Sequence, residues 1–245
     1  MDVKLKEGER IDDLERNGYR IIQNPGRFCF GMDAVLLSGF IKASKKDNFL
    51  DLGTGNGIIP ILVRAKTECR MLTGLEIQNE SADMARRSVL LNGLCGDIKI
   101  VEGDICRASE IFGKDSFDVV SSNPPYIKAG SGLVNPDESK ALARHELRCT
   151  FEDVARETSL LLRNGGRFFL VHRPERLAEI IFTLKNHSLE PRRLKMVHSY
   201  ADSEACMFLL EAAKNGGASM KAEKPLIIYK ERNIYTDEIY EIYGF

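Results

Sequence analysis

Short apolar runs alternate with longer amphipathic stretches from residue 33 to about residue 188. The stretch DAVLLSGFIKA (33–43) repeats its apolar positions at helical spacing behind Asp33, which is placed to cap a first turn, so it predicts a helix. NFLDLG (48–53) reads as a buried strand entering a glycine loop, and GIIPILVRAK (57–66) as a helix whose proline falls in the first turn, where a missing N–H costs nothing. CRMLTGLEI (69–77) is a strand, ESADMARRSVLLNG (80–93) a helix closed by Asn-Gly, DIKIVEGD (97–104) a strand and FDVVSSN (117–123) a fourth strand. FEDVARETSLLLRNGG (151–166) predicts a helix ending in glycines, RFFLVHR (167–173) a fifth strand, and PERLAEIIFTLKNHS (174–188) another helix. RRLKMVHSY and ACMFLLEAAK then read as two strands with only a polar loop between them.

Strands alternating with helices build a parallel sheet covered on both faces, and two final strands without a helix between them add an antiparallel pair at its end. The expected architecture is therefore α/β and Rossmann-like. Residues 1–45 form an N-terminal segment, 46–213 the core, and 214–245 a tail. That tail opens on the linker-like KNGGASMKAEKP (214–225), and LIIYKERNIYTDEIYEIYGF then forms a hairpin turning near 231–233 and docking on the core.

With 245 residues, 43% hydrophobic and 29% charged, the chain has the composition of a soluble globular protein with one core. No stretch approaches the ~20 apolar residues of a membrane span, and the charged N-terminus is unlike a secretory signal. The six cysteines include no CxxC pair and have no histidine at ligand spacing, so the expectation is reduced thiols in the cytoplasm and no metal. A net charge of −1 excludes coating nucleic acid by bulk electrostatics. Local asymmetry remains, with twelve Lys/Arg against seven Asp/Glu between 140 and 200, a candidate basic face.

The candidate chemistry gathers where the strands end. DLGTGNG runs from Asp51 through Gly53, Gly55 and Gly57, a G-x-G-x-G pattern at a strand-to-helix turn that brings backbone close to a ligand and departs from the G-x-G-x-x-G of a pyrophosphate site. Glu76 ends the second strand, where a carboxylate accepts ribose hydroxyls; Asp104 ends the third, where one accepts from the exocyclic amine of an adenine. Both acids sit at the edge of an open α/β sheet where ligands bind. NPPY (Asn123, Pro124, Pro125, Tyr126) closes the fourth strand.

In this order, DLGTGNG, LE, GD and NPPY resemble the class I S-adenosylmethionine-dependent methyltransferases that act on amino or amide nitrogen. The resemblance implies a mostly parallel seven-stranded sheet, S-adenosylmethionine as cofactor, and a target nitrogen held by Asn123 and the Pro124 carbonyl. An exocyclic amine on adenine delocalises its lone pair into the ring. Two acceptors outside the ring plane hold its protons, pull the nitrogen towards a pyramidal shape and free that lone pair, while the prolines fix the carbonyl and Tyr126 offers a stacking face. Glutamine amide, adenine N6 and guanine N2 present the same planar nitrogen, so NPPY by itself does not choose among them.

The segment IIQNPGRFCFGMDAVLLSGF (21–40), with LARHE at 142–146 and the 225–244 tail, is most similar to the tRNA(Val) adenine-N6 methyltransferases. That resemblance implies that Phe28, Phe30, Gly31, Asp33 and Ala34 lie over the cofactor and that the adenosine beside the anticodon is the target. A tRNA partner is expected to meet Arg144, His145 and Arg148, and the chain is expected to act as a monomer. Two alternatives stand beside this reading: the release-factor glutamine methyltransferase, which carries the same NPPY, and a degenerate methyltransferase fold serving as an RNA-binding scaffold.

Overall fold

A computed structural model describes residues 3–26, 29–124 and 149–244. The chain opens with a hairpin of β1 (Arg10–Asp13) and β2 (Arg20–Gln23) paired antiparallel, followed by α1 (Met32–Phe40). Gly31, not Asp33, occupies the cap of α1. Asp33 lies inside the first turn, where its carboxylate accepts the Ala34 N–H at 2.9 Å.

The alternation then follows as β3 (Asn48–Leu52), α2 (Ile58–Lys66), β4 (Met71–Glu76), α3 (Asn79–Leu91) and β5 (Ile98–Glu102). After a 3-10 turn at Ile105–Arg107 come α4 (Ala108–Phe112), β6 (Phe117–Ser122), α5 (Phe151–Leu161), β7 (Leu162–His172) and α6 (Leu177–Asn186). β8 (Leu189–His198) and β9 (Ala205–Lys214) are the expected pair without a helix between them.

Across the sheet the long strands lie in the order β8, β9, β7, β6, β3, β4, β5. All run parallel except β9, which is inserted between β7 and β8 and is antiparallel to both. Two short strands, β10 (Lys221–Ala222) and β11 (Leu226–Ile227), add to the β8 edge inside the stretch expected to be a linker and its continuation.

Adjacent residues on one strand point to opposite faces, and the two cores follow that period. Phe49, Val119, Phe169 and Leu209 pack with α1, α2 and α3 on one side. Leu50, Val120, Phe168, Phe208 and Leu210 pack with α5 and α6 on the other. Phe49, Phe168, Phe169 and Phe208 are fully buried, so truncating any of them to alanine costs ~3–5 kcal/mol.

One boundary differs from the sequence expectation. The helix predicted through residue 166 stops at Leu161, and Leu162 already pairs with Phe117 of β6. The register then shifts so that Arg167 faces Val119; the extra residues form a bulge containing Gly165 at φ 75°. A Cβ on Gly166 would meet the Arg163 carbonyl at 2.9 Å, so these glycines serve strand pairing.

Beyond β11, β12 (Tyr229–Glu231) pairs antiparallel with β13 (Ile234–Tyr235), and α7 (Asp237–Tyr243) follows. The α7 residue Ile239 is buried in the α1 face of the core, and Ile242 lies against Gly39.

Candidate active site

Strand register brings the candidate residues to one edge. Leu52 on β3 pairs with Leu75 on β4 and with Ser122 on β6, so the residues that follow, Gly53, Glu76 and Asn123, leave the sheet side by side. Glu76 pairs with Glu102 on β5, which carries Gly103 and Asp104 to the same edge.

The glycine loop is held from below and left open above. Gly53 N–H and Thr54 N–H both donate to the Leu75 carbonyl, at 2.9 and 3.0 Å, anchoring the turn to β4. Gly53, Gly55 and Gly57 have φ of 76°, 57° and 86°, left-handed conformations that glycine adopts without strain. A Cβ on Gly55 would meet nothing within 4 Å, whereas one on Gly57 would meet the Ala85 Cβ of α3 at 3.2 Å. Gly55 therefore keeps the cradle free, and Gly57 lets two helices approach.

Glu76 is only 6% exposed, and its carboxylate accepts the Gly55 N–H at 2.9 Å and the Gln78 N–H at 2.8 Å, one on each oxygen. Each oxygen keeps a second lone pair for a hydroxyl. Asp104 is half-buried, and its Oδ1 caps the 3-10 turn by accepting the Cys106 N–H at 2.9 Å.

Asp51 is 0% exposed and accepts the Ser121 hydroxyl on Oδ1 at 2.6 Å. Its Oδ2 has no partner in hydrogen-bonding geometry, although the Thr54 hydroxyl lies near enough to favour the charge. Burial pushes the Asp51 carboxyl up to about 7; Ser121 and Thr54 oppose the shift and the Glu76 charge adds to it. A buried carboxylate with an unused oxygen beside an open glycine cradle suits a ligand that brings a cationic N–H donor. With Glu76 and Asp104 on the same rim, the set of carboxylate acceptors fits a ligand carrying an ammonium, ribose hydroxyls and an amine, which is the polar inventory of S-adenosylmethionine.

Asn123 and Pro124 are half-buried directly after β6. Pro125, Tyr126, Arg144, His145 and Arg148 lie outside the described residues, as does Phe28. Phe30 is held from β2: its N–H donates to Gln23 Oε1 at 3.1 Å, and the buried Gln23 amide in turn reaches Asp12. The same strand meets the glycine loop, since Asn56 Nδ2 donates to the Ile22 carbonyl at 3.3 Å. β2 thus supports both Phe30 and the glycine loop.

Ser121, Ser122, Thr54, Asn56, Gln23 and Gly74 escaped sequence reasoning. Ser122 donates to the Leu52 carbonyl at 3.1 Å, and Gly74 lacks the Cβ that would meet Thr54 Cγ2 at 2.6 Å. The available signal was two serines ending an otherwise apolar strand and a glycine inside another.

Among the described residues, the basic excess of the 140–200 region is largely matched by acids. Arg156 pairs with Asp153, Arg163 with Asp118, Arg167 with Asp47, Arg176 with Glu179, Lys185 with Glu190, Arg193 with Glu211 and Glu223, and Lys195 with Glu238. No group of three or more possible metal ligands occurs among these residues, and no helix there is long and apolar enough to cross a membrane.

A seven-strand order with one inserted antiparallel strand, a glycine cradle and two acids on its carboxyl edge defines a Rossmann-like class I methyltransferase. The family described as "Methyltransferase small domain" matches residues 18–187, and the chain belongs to it. A protein of Porphyromonas gingivalis named tRNA1(Val) (adenine(37)-N6)-methyltransferase is 30% identical over 187 residues, covering 74% of this chain and 72% of its own. A Flavobacteriaceae bacterium protein of the same name is 24% identical, covering 90% and 91%. Among solved structures, one titled a predicted O-methyltransferase from Agrobacterium tumefaciens superposes with a TM-score of 0.69 at 26% identity, covering 87% of this chain and 96% of its own. The P. horikoshii protein TYW2, crystallised with MeSAdo, superposes at a TM-score of 0.58 and 11% identity, covering 86% and 73%, which speaks for the fold alone.

Proposed function

We propose that this chain is an S-adenosylmethionine-dependent methyltransferase that modifies the exocyclic N6 of an adenosine in tRNA, at position 37 beside the anticodon of tRNA(Val). The observation that carries the reading is the register of β3, β4 and β6, which sets Asn123 beside Gly53 and Glu76. The names of the relatives, two of them cited above, support the choice of acceptor.

Asp51, the Gly53–Gly57 loop, Glu76 and Asp104 would hold S-adenosylmethionine, which when bound supplies an electrophilic methyl group on a sulfonium. The rest of the work belongs to the chain. Asn123 accepts a hydrogen bond from one amine N–H through its side-chain oxygen and Pro124 accepts one from the other N–H through its carbonyl, so the lone pair is released from the ring. No nucleophilic side chain is required, because orientation of two reactants already supplies much of the acceleration. Phe30 and Asp33 close the site from the β2 side, and Tyr126 stacks on the target, which leaves the RNA stack to reach the site. Arg144, His145 and Arg148 contact the RNA backbone. A cytoplasmic monomer is part of the same proposal.

Labelled S-adenosylmethionine is incubated with unmodified tRNA or with a peptide release factor, and the product is digested. N6-methyladenosine at position 37 is the expected product. N5-methylglutamine moves the activity to protein, O-methylation contradicts the nitrogen acceptor, and incorporation into neither substrate restores the scaffold reading.

A further inference from the structure

Tyr200 and three tyrosines of the tail line up in one row at the β8 end of the sheet. Tyr200 lies 5.5 Å from Tyr229, Tyr229 lies 5.2 Å from Tyr235, and Tyr235 lies 5.8 Å from Tyr243, with interplanar angles of 33°, 19° and 13°. Tyr240 closes on Tyr235 edge-on at 5.8 Å. Three of the row, Tyr229, Tyr235 and Tyr243, pack against the core, and burial pushes the Tyr243 hydroxyl up to about 12. Tyr200 is different: it is 38% exposed at the end of the row.

The backbone that carries this ring is tied into the loop. The Tyr200 N–H donates to Ser203 Oγ at 2.9 Å, Ser203 Oγ donates to the Tyr200 carbonyl at 2.8 Å, and the Ser203 carbonyl meets His198 Nδ1 at 2.7 Å. Tyr229 N–H donates to the Ser199 carbonyl at 2.9 Å, which fixes the next ring of the row. A large apolar face is thus presented to solvent from a hydrogen-bonded loop, which lowers the ordering cost of binding.

Its position gives the face a use. β8 runs parallel to β7 and β6, so Tyr200, just beyond His198, lies on the same carboxyl edge as Asn123. Three strand spacings separate β8 from β6, about 14 Å, or about four stacked bases. At the other end of the row, Tyr243 is close enough to Asp33 to feel its charge, so the row skirts the start of α1.

We infer that the row Tyr200, Tyr229, Tyr235 and Tyr243 is a stacking platform that takes an unpaired base of the RNA, a neighbour of the target nucleotide, on the exposed face of Tyr200. The inference rests on the tRNA reading above. Asp202 and Glu204 share the loop with Tyr200, so the attraction is through the ring face rather than through net charge. Arg232, at the tip of the hairpin that carries Tyr229 and Tyr235, is exposed. Tyr229, Tyr235 and Tyr243 are half-buried against the core, and Tyr200 is the ring left open at the end of the row.

The test uses the full chain and an anticodon stem-loop RNA carrying 2-aminopurine at one loop position at a time. Binding of the wild-type chain is expected to quench the fluorescence at one position. Tyr200→Ala is expected to lose that quenching and to bind the RNA about tenfold more weakly, with affinity for S-adenosylmethionine unchanged. Tyr200→Phe is expected to keep both properties. Equal binding and quenching by Tyr200→Ala and wild type overturns the platform alone, provided the wild type methylates the RNA. Loss by Tyr200→Phe equal to that of Tyr200→Ala overturns it too, because the hydroxyl and not the face would then matter. A wild-type chain that neither binds nor methylates the RNA overturns the tRNA reading, and the platform with it.

Discussion

The Ser121 hydroxyl donates to Asp51 Oδ1 at 2.6 Å between two neighbouring parallel strands, beneath the glycine loop and fully removed from solvent. That contact connects the stability of the sheet to the charge of the ligand site, because Asp51 is the carboxylate that burial holds near neutral pH.

The pH dependence of the ligand-free protein follows from that contact. The folded pKa of Asp51 is raised from 3.8 to about 7, so between those values the native state binds more protons than the unfolded one. The contribution of Asp51 to stability is therefore present at low pH and lost as pH rises through about 7. Asp51→Asn should flatten this part of the melting-temperature profile between pH 4 and 8. S-adenosylmethionine affinity, read by calorimetry, should rise over the same interval, because a cationic donor favours the ionised form. Ser121→Ala should cost ~1–3 kcal/mol of stability and move the affinity rise to higher pH.

Two glycines of one loop separate ligand from fold. Gly57→Ala places a Cβ 3.2 Å from that of Ala85 at a φ of 86° and should lower the melting temperature. Gly55→Ala meets no protein atom, so its cost to stability is the left-handed strain alone, ~1–2 kcal/mol. Its methyl group stands in the cradle and should weaken S-adenosylmethionine binding by at least tenfold. Equal ligand affinity for Gly55→Ala and wild type would remove the loop from the cofactor site.

Asn123→Ala should reduce turnover by a hundredfold or more, as loss of one preorganised polar contact at a reacting group does. Cofactor affinity, measured by calorimetry on the same preparation, should stay within twofold. Loss of both together would sink the assigned role of Asn123.

Arg87 clips the N-terminal segment to α3. It donates to both Glu9 oxygens, at 2.6 and 2.7 Å, and to Asp83 at 2.9 Å; its hydrogen bonds hold Glu9 below the usual carboxylate range. Arg87→Ala should destabilise the fold by ~1–3 kcal/mol at pH 7. Because the Glu9 pKa is depressed, that stabilisation is lost as pH falls below 4.5 through its folded value. The gap between wild-type and variant melting temperatures should therefore narrow at pH 3.

The alternation from Asn48 to Asn186 was legible in the sequence because hydrophobic period is a local property, and so were Gly53, Gly55, Gly57, Glu76, Asp104 and Asn123 as residues at or just past strand ends. The limit of that reading is visible at LLRNGG. Its apolar spacing suits a helix, yet pairing of Leu162 with Phe117 draws it into β7, since an unpaired edge beside β6 costs more than a shortened helix. The β1–β2 hairpin and the short β10 and β11 likewise depend on partners distant in sequence.

What the sequence determined by itself was which side chains end which strands, and hence a rim of glycines, acids and one asparagine. Which of them stand side by side was decided by tertiary structure: the order β6, β3, β4, β5 is set by how helices cover two apolar faces, and it brings Ser121 to Asp51 across 70 positions of sequence. The tyrosine row belongs to the same level, because Tyr200 meets Tyr229 only when β11 pairs with β8.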